Sequence, residues 1–173
     1  MFVQSQVNNK ISTNNTKEIN MELIRANESD GEILWNMQKE AFSELYEKNQ
    51  DHDTSPANEP LVKMTERLKQ QFTYYYYIVA DGQRVGAIRV TDMMDGSPKR
   101  VSPIFFMPKY RRKGYAKMAM LEAERIHGKS GWELETILQE EGNCKLYESI
   151  GYFKTGKTKI INDKMTLVYY RKD

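Results

Sequence analysis

Apolar positions along this chain switch between the helical and the strand period, and the switches mark out its elements. Residues 1–20, MFVQSQVNNKISTNNTKEIN, are rich in Asn, Ser and Thr and sustain neither period. A polar tail that packs weakly or not at all is expected there, with the folded unit over 21–173. MELIRA, from Met21, reads as a short strand. Ser29-Asp30-Gly31-Glu32 has capping-box spacing, and Leu34, Met37, Ala41 and Leu45 then recur on one helical face, predicting a helix to about Asn49. Past the loop DHDTSPANEP, Leu61, Met64 and Leu68 predict a second helix. TYYYYIVA and QRVGAIRVTD flank Asp81-Gly82, a pair that favours a tight hairpin. Alternation sends two of the four consecutive tyrosines to the core and two outward. A strand over Val101–Phe106, a helix ending near Gly128, the strand WELETILQ and a short helix from Asn143 to Ile150 follow. KTKIIND and MTLVYYRK close the chain as a hairpin. The order β-α-α-β-β-β-α-β-α-β-β is mixed α/β, without internal repeat.

Composition narrows the function classes. A chain of 173 residues with 39% apolar content suits one domain. Its 26 basic and 24 acidic residues leave a net charge of +2, so the expectation is no nucleic-acid partner. One cysteine, Cys144, excludes an internal disulfide framework, and His52 and His127 are too few for a zinc cluster, so no metal is expected. The apolar runs are short and broken by charge, from which no membrane association and a soluble, cytoplasmic protein are expected.

Two glycine motifs compete for a phosphate. Gly151-Tyr152-Phe153-Lys154-Thr155-Gly156-Lys157-Thr158 satisfies G-x-x-x-x-G-K-[ST]. That cradle needs a strand before it and a helix after it, whereas here a helix precedes and the β-rich Lys159-Ile160-Ile161 follows. Nucleotide hydrolysis by this route is rejected. The stretch Ile104–His127 has the correct context: an apolar strand, Pro108, the cations Arg111-Arg112-Lys113, then Gly114-Tyr115-Ala116 opening a helix. Unpaired N–H groups converge at a helix start, the helix dipole adds positive charge, and glycine lets backbone approach an anion closely. It lacks the G-x-G-x-x-G spacing of a dinucleotide site.

At these residues the chain resembles the GNAT-type N-acetyltransferases. Arg111-Arg112-Lys113-Gly114-Tyr115-Ala116 matches the family's [Q/R]-x-x-G-x-[G/A], preceded by Phe106-Met107-Pro108-Lys109-Tyr110 in its V-x-P-x-Y position. Leu146-Tyr147-Glu148-Ser149-Ile150-Gly151-Tyr152 matches its L-Y-x-x-x-G-[F/Y]. The resemblance covers roughly residues 21–173 and implies a central, mostly antiparallel, splayed seven-stranded sheet flanked by four helices. One departure stands out: the family often has Asn seven residues before the helix tyrosine, and Glu140 is there instead. Asn143, four before it, reads first as a helix N-cap and second as a pantetheine contact.

The resemblance further implies acetyl-CoA as cosubstrate. Its pyrophosphate would lie on the backbone of residues 112–117, from Arg112 through Gly114, Tyr115 and Ala116 to Lys117, with charge from Arg111, Arg112 and Lys113. Its pantetheine would pair along Ile104, Phe105 and Phe106, where a backbone N–H polarises the thioester. Tyr147 stands in the position of the general acid for the leaving thiolate, or is an ordinary packing tyrosine. Glu133, Glu135, Asp92 or a water are the candidate bases. The acceptor, a small-molecule or peptide amine, would meet the acidic loop Asp51-His52-Asp53 through Glu59, a stretch that reads equally as a solvated connector. A homodimer is allowed for. The competing readings are a non-catalytic acyl-CoA-binding sensor of the same fold and a nucleic-acid binder centred on residues 109–113.

Overall fold

The computed structural model describes residues 18–173; most of the expected tail, residues 1–17, lies outside them. Chain order runs β1 (Met21–Arg25), α1 (Gly31–Asn49), α2 (Leu61–Lys69), β2 (Thr73–Ala80), β3 (Gln83–Thr91), β4 (Lys99–Phe106), α3 (Tyr115–His127), β5 (Trp132–Ile137), α4 (Glu141–Ser149), β6 (Phe153–Asn162) and β7 (Met165–Lys172). The seven strands form one sheet in the order β1-β2-β3-β4-β5-β7-β6, antiparallel except for β4 against β5. The expected sheet and four flanking helices are both present. Contact with the body begins ahead of Met21: Ile19 packs on the core, and the Asn20 carbonyl accepts the Asp81 N–H at 2.8 Å.

The hairpin between β2 and β3 follows from its two turn residues. Asp81 and Gly82 both hold positive φ, 48° and 78°, the conformation whose twist matches paired strands. The four tyrosines correct the expectation of an outward pair. Tyr75, Tyr76 and Tyr77 are all buried and Tyr74 is half-buried, because β2 sits inside a sheet covered on both faces. Tyr75 and Tyr77 pack with Leu34, Ala41 and Met64 of α1 and α2. Tyr76 joins Ala119, Met120 and Ala123 of α3 on the other face. Full burial of side chains such as Leu34, Met64 and Ile88 contributes about 1.5–3 kcal/mol each, which fixes the helices against the sheet.

The capping box also differs from the reading at Ser29. Asn27 is the cap: its Oδ1 accepts the Ser29 N–H at 2.9 Å, and Asp30 Oδ2 accepts the Asn27 N–H at 2.8 Å. A single 3₁₀ turn, Glu28–Asp30, leads from it into α1.

What positions the site is a divergence in mid-sheet. β4 and β5 pair only through Lys99–Trp132 and Arg100–Glu133. From Val101 onward β4 has a partner strand on its β3 side alone.

Candidate active site

The turn after β4 has the form the sequence implied. A 3₁₀ turn at Pro108–Tyr110 leads to Arg112, with φ of 59°, and Gly114, with φ of 79°, before α3 begins at Tyr115. Left-handed residues here swing successive N–H groups to one side. The first α3 bond is Met118 N–H to the Gly114 carbonyl at 3.4 Å. Among the described residues the N–H groups of Arg112, Lys113 and Gly114 have no backbone acceptor, and those of Tyr115, Ala116 and Lys117 lie in the first helical turn, where none is available. A row of free donors therefore stands at the positive end of α3, beside the open edge of β4. A side chain at Gly114 would meet nothing within 4 Å, so the glycine serves φ rather than space.

Arg111 corrects one expectation. Its guanidinium donates to the Phe106 carbonyl at 3.3 Å, to Glu44 Oε2 at 3.2 Å and to the Ala41 carbonyl. The side chain thus straps the end of β4 to α1, whereas Lys109, Arg112, Lys113 and Lys117 are exposed cations around the turn. Phe105 is turned away as well, its ring buried edge-on against Phe42 at 5.7 Å, so its backbone alone faces the sheet edge. The Phe106 ring lies 6.5 Å from that of Tyr115, joining strand to helix start.

Where β4 and β5 part, a cleft of about 230 Å³ opens. Ile104, Thr136, Asn143, Tyr147 and Asn49 line it, so strand, short helix and first helix converge there. Tyr147 is buried, with its ring 6.0 Å from Tyr152 and 6.1 Å from Tyr170. Burial, with Cys144 close by, pushes its phenol up to about 12, and its hydroxyl has no hydrogen-bond partner among the described residues. Asn143 is not the cap of α4: Glu140 takes that position, and Asn143 sits in the first turn with Nδ2 3.5 Å from Thr136 Oγ1.

The candidate bases are all engaged or distant. Glu135 pairs with Arg100, Glu133 is exposed, and Asp92 accepts from His127 Nδ1 at 3.0 Å in a chain continued by Tyr76. In the acidic loop, Asp51 is buried, taking the Thr54 N–H at 2.9 Å and hydroxyl at 2.6 Å. Glu59 is held bidentate by Arg67 at 2.6 and 2.7 Å and accepts from Gln38 at 2.9 Å, contacts that keep its carboxyl below the usual range despite burial. The Gly151–Thr158 motif enters the edge strand β6 without a helix behind it, in agreement with its rejection. A larger hollow, about 490 Å³, lies between Trp132, Lys157 and Tyr169, but neither the phosphate turn nor Tyr147 borders it. Asn49 is a cleft residue that the sequence did not reveal, since nothing in its pattern distinguishes it from any residue ending a helix.

The comparisons with known proteins agree with this geometry. The model of the acetyltransferase (GNAT) family matches residues 32–152, and the chain belongs to that family. No curated protein matches it by sequence. Solved structures share its fold at low identity. The spermidine N-acetyltransferase of Vibrio cholerae, in complex with CoA and spermine, has a TM-score of 0.68 at 12% identity, over 87% of this chain and 93% of that one. The PaiA N-acetyltransferase of Thermoplasma acidophilum, with coenzyme A, has 0.60 at 17% identity, over 89% and 99%. The microcin C7 self-immunity acetyltransferase MccE, with acetyl-CoA and AMP, has 0.64 at 12% identity, over 87% and 90%. Among the described residues no helix is long and apolar enough to cross a membrane.

Proposed function

We propose that this protein moves an acetyl group from acetyl-CoA directly to an amine, with both substrates bound at once. The observation that carries the reading is the run of unpaired amides from Arg112 to Lys117, which begins where the open edge of β4 ends. A diphosphate on those amides would let the pantetheine arm run along Ile104–Phe106 as an added strand, delivering the thioester to the cleft beside Tyr147. The exposed cations Arg112 and Lys113 add charge at the entrance, while Arg111 is held by Ala41 and Glu44. Asn143, which lines the cleft from α4, would meet the arm's amides.

In this mechanism the amine nitrogen attacks the acetyl carbon, an N–C bond forms and the C–S bond breaks. Tyr147 gives its proton to the leaving sulfur, and the new amide nitrogen sheds one that restores the phenol. Burial keeps Tyr147 protonated at neutral pH, as a donor must be. The same dry surroundings raise the proton affinity of a thiolate, so the transfer stays near balance. Tyr147→Phe should lower turnover by about 10²-fold or more while the CoA dissociation constant stays within about twofold. Unchanged turnover at saturating substrates would remove Tyr147 from the chemistry.

A further inference from the structure

Phe42, Leu45, Pro103, Ile104, Met165 and Leu167 supply the apolar part of the cleft wall. Two carboxylates line it: Glu135 is held by Arg100, and Asp51 accepts from the Thr54 N–H and hydroxyl. Carboxylates nearby are paired with cations, Glu59 with Arg67, Glu140 with Lys48 and Glu44 with Arg111. An ammonium brought into apolar surroundings needs a counter-charge. Of these carboxylates Asp51 alone has no cation partner, so a polyamine would find one counter-charge for the several charges it carried in.

The attacking nitrogen must also be neutral, and the cleft offers no unengaged base to make it so. An α-amino group, with a pKa near 7.7–8.0, is already partly neutral at physiological pH, whereas an alkylamine near 10.4 is not. Beside the Tyr147 hydroxyl, one side-chain amide stands unspent. Asn49, 3% exposed at the end of α1, lines the cleft with its Nδ2 buried and without a partner. Its backbone carbonyl is occupied, accepting from Asn162 Nδ2 at 2.9 Å. A buried amide donor left unmet is costly, and what satisfies it is an oxygen, not an ammonium.

We propose that the acceptor is an α-amino amide with an apolar side chain, and that Asn49 recognises its carbonyl oxygen through Nδ2. A free amino-acid amide and a peptide N-terminus share this chemistry. The proposal rests on the acetyl-transfer reading above and adds the substrate class to it.

Thiol release would be followed with leucinamide, the tripeptide amide Leu-Ala-Ala, isoamylamine and spermidine, with CoA binding measured in parallel by calorimetry. Isoamylamine keeps the apolar body and lacks the carbonyl. Leucinamide or the tripeptide should exceed isoamylamine and spermidine by about tenfold or more in kcat/KM. Preference for the tripeptide would identify a chain N-terminus as the source, and preference for leucinamide a free amide. Asn49→Leu should collapse the leucinamide-to-isoamylamine ratio towards one, and Asn49→Asp, which keeps the shape but loses the donor, should collapse it too. Spermidine turned over as well as leucinamide, or a ratio that survives both substitutions, overturns the proposal. CoA binding without thiol release from any amine would overturn acetyl transfer itself, a different result from a wrong acceptor.

Discussion

Gly86 offers the sharpest test of how the sheet positions the site. It pairs with Phe106, the last residue of β4. A Cβ built on Gly86 would stand 2.1 Å from the Phe105 carbonyl oxygen and 3.0 Å from Phe106 Cα. Those neighbours are backbone and cannot rotate away, so in Gly86→Ala the two strands must part by about 1 Å to reach tolerable contact. Overpacking of this kind costs about 1–3 kcal/mol. The displaced segment is the end of β4, where the thioester is proposed to lie, and a misplacement of about 1 Å can cost on the order of 10²-fold in rate. Urea denaturation would give the stability change from the midpoint at constant slope, and thiol release the rate. Gly142→Ala is the control, since a Cβ there meets nothing within 4 Å. It should be neutral or stabilising by up to about 1 kcal/mol. Equal midpoints and equal turnover for Gly86→Ala and wild type would show that the β3–β4 contact does not constrain the site.

Other outcomes follow from single residues. Gly114→Ala has room for its methyl but must hold φ of 79°, so CoA affinity should weaken roughly 5- to 30-fold, for a strain of about 1–2 kcal/mol, as read by calorimetry; unchanged affinity would refute a backbone role. Burial raises the phenols of Tyr75 and Tyr147 to about 12, above their value in the unfolded chain. Their contribution, on the order of 2–3 kcal/mol each, is therefore complete below about pH 10 and lost as pH rises towards 12. Melting temperature should fall across that window together with phenolate absorbance; titration of all tyrosines near pH 10 in a protein that stays folded would contradict it.

The parts of the fold set by local chemistry were legible in the sequence. The Asp81-Gly82 turn, the strand-turn-helix at Gly114 and the tyrosine helix α4 each depend on a few neighbouring residues, and the GNAT family followed from the last two. What was not legible depends on distant elements. Tyr74 and Tyr76 face inward because α3 covers that side of the sheet, which no alternation pattern records. Arg111 looks like a phosphate ligand until α1 brings the Ala41 carbonyl and Glu44 to it. Asp51 and Glu59 make an acidic loop on paper, but in the fold Arg67 neutralises Glu59 and Asp51 is turned inward onto Thr54. Asn143 lost its capping role to a helix that starts two residues earlier, at Glu141.

The early parting of β4 from β5 also bears on how fast a guest can arrive. Main-chain groups along Val101–Phe106 have no strand partner on the β5 side, so an incoming strand-like molecule would find no existing ladder to prise apart. Association at this seam then has no internal rupture to wait for. Its pace is set by encounter and orientation, in the ordinary 10⁵–10⁷ M⁻¹s⁻¹ span, roughly, of docking without prior rearrangement.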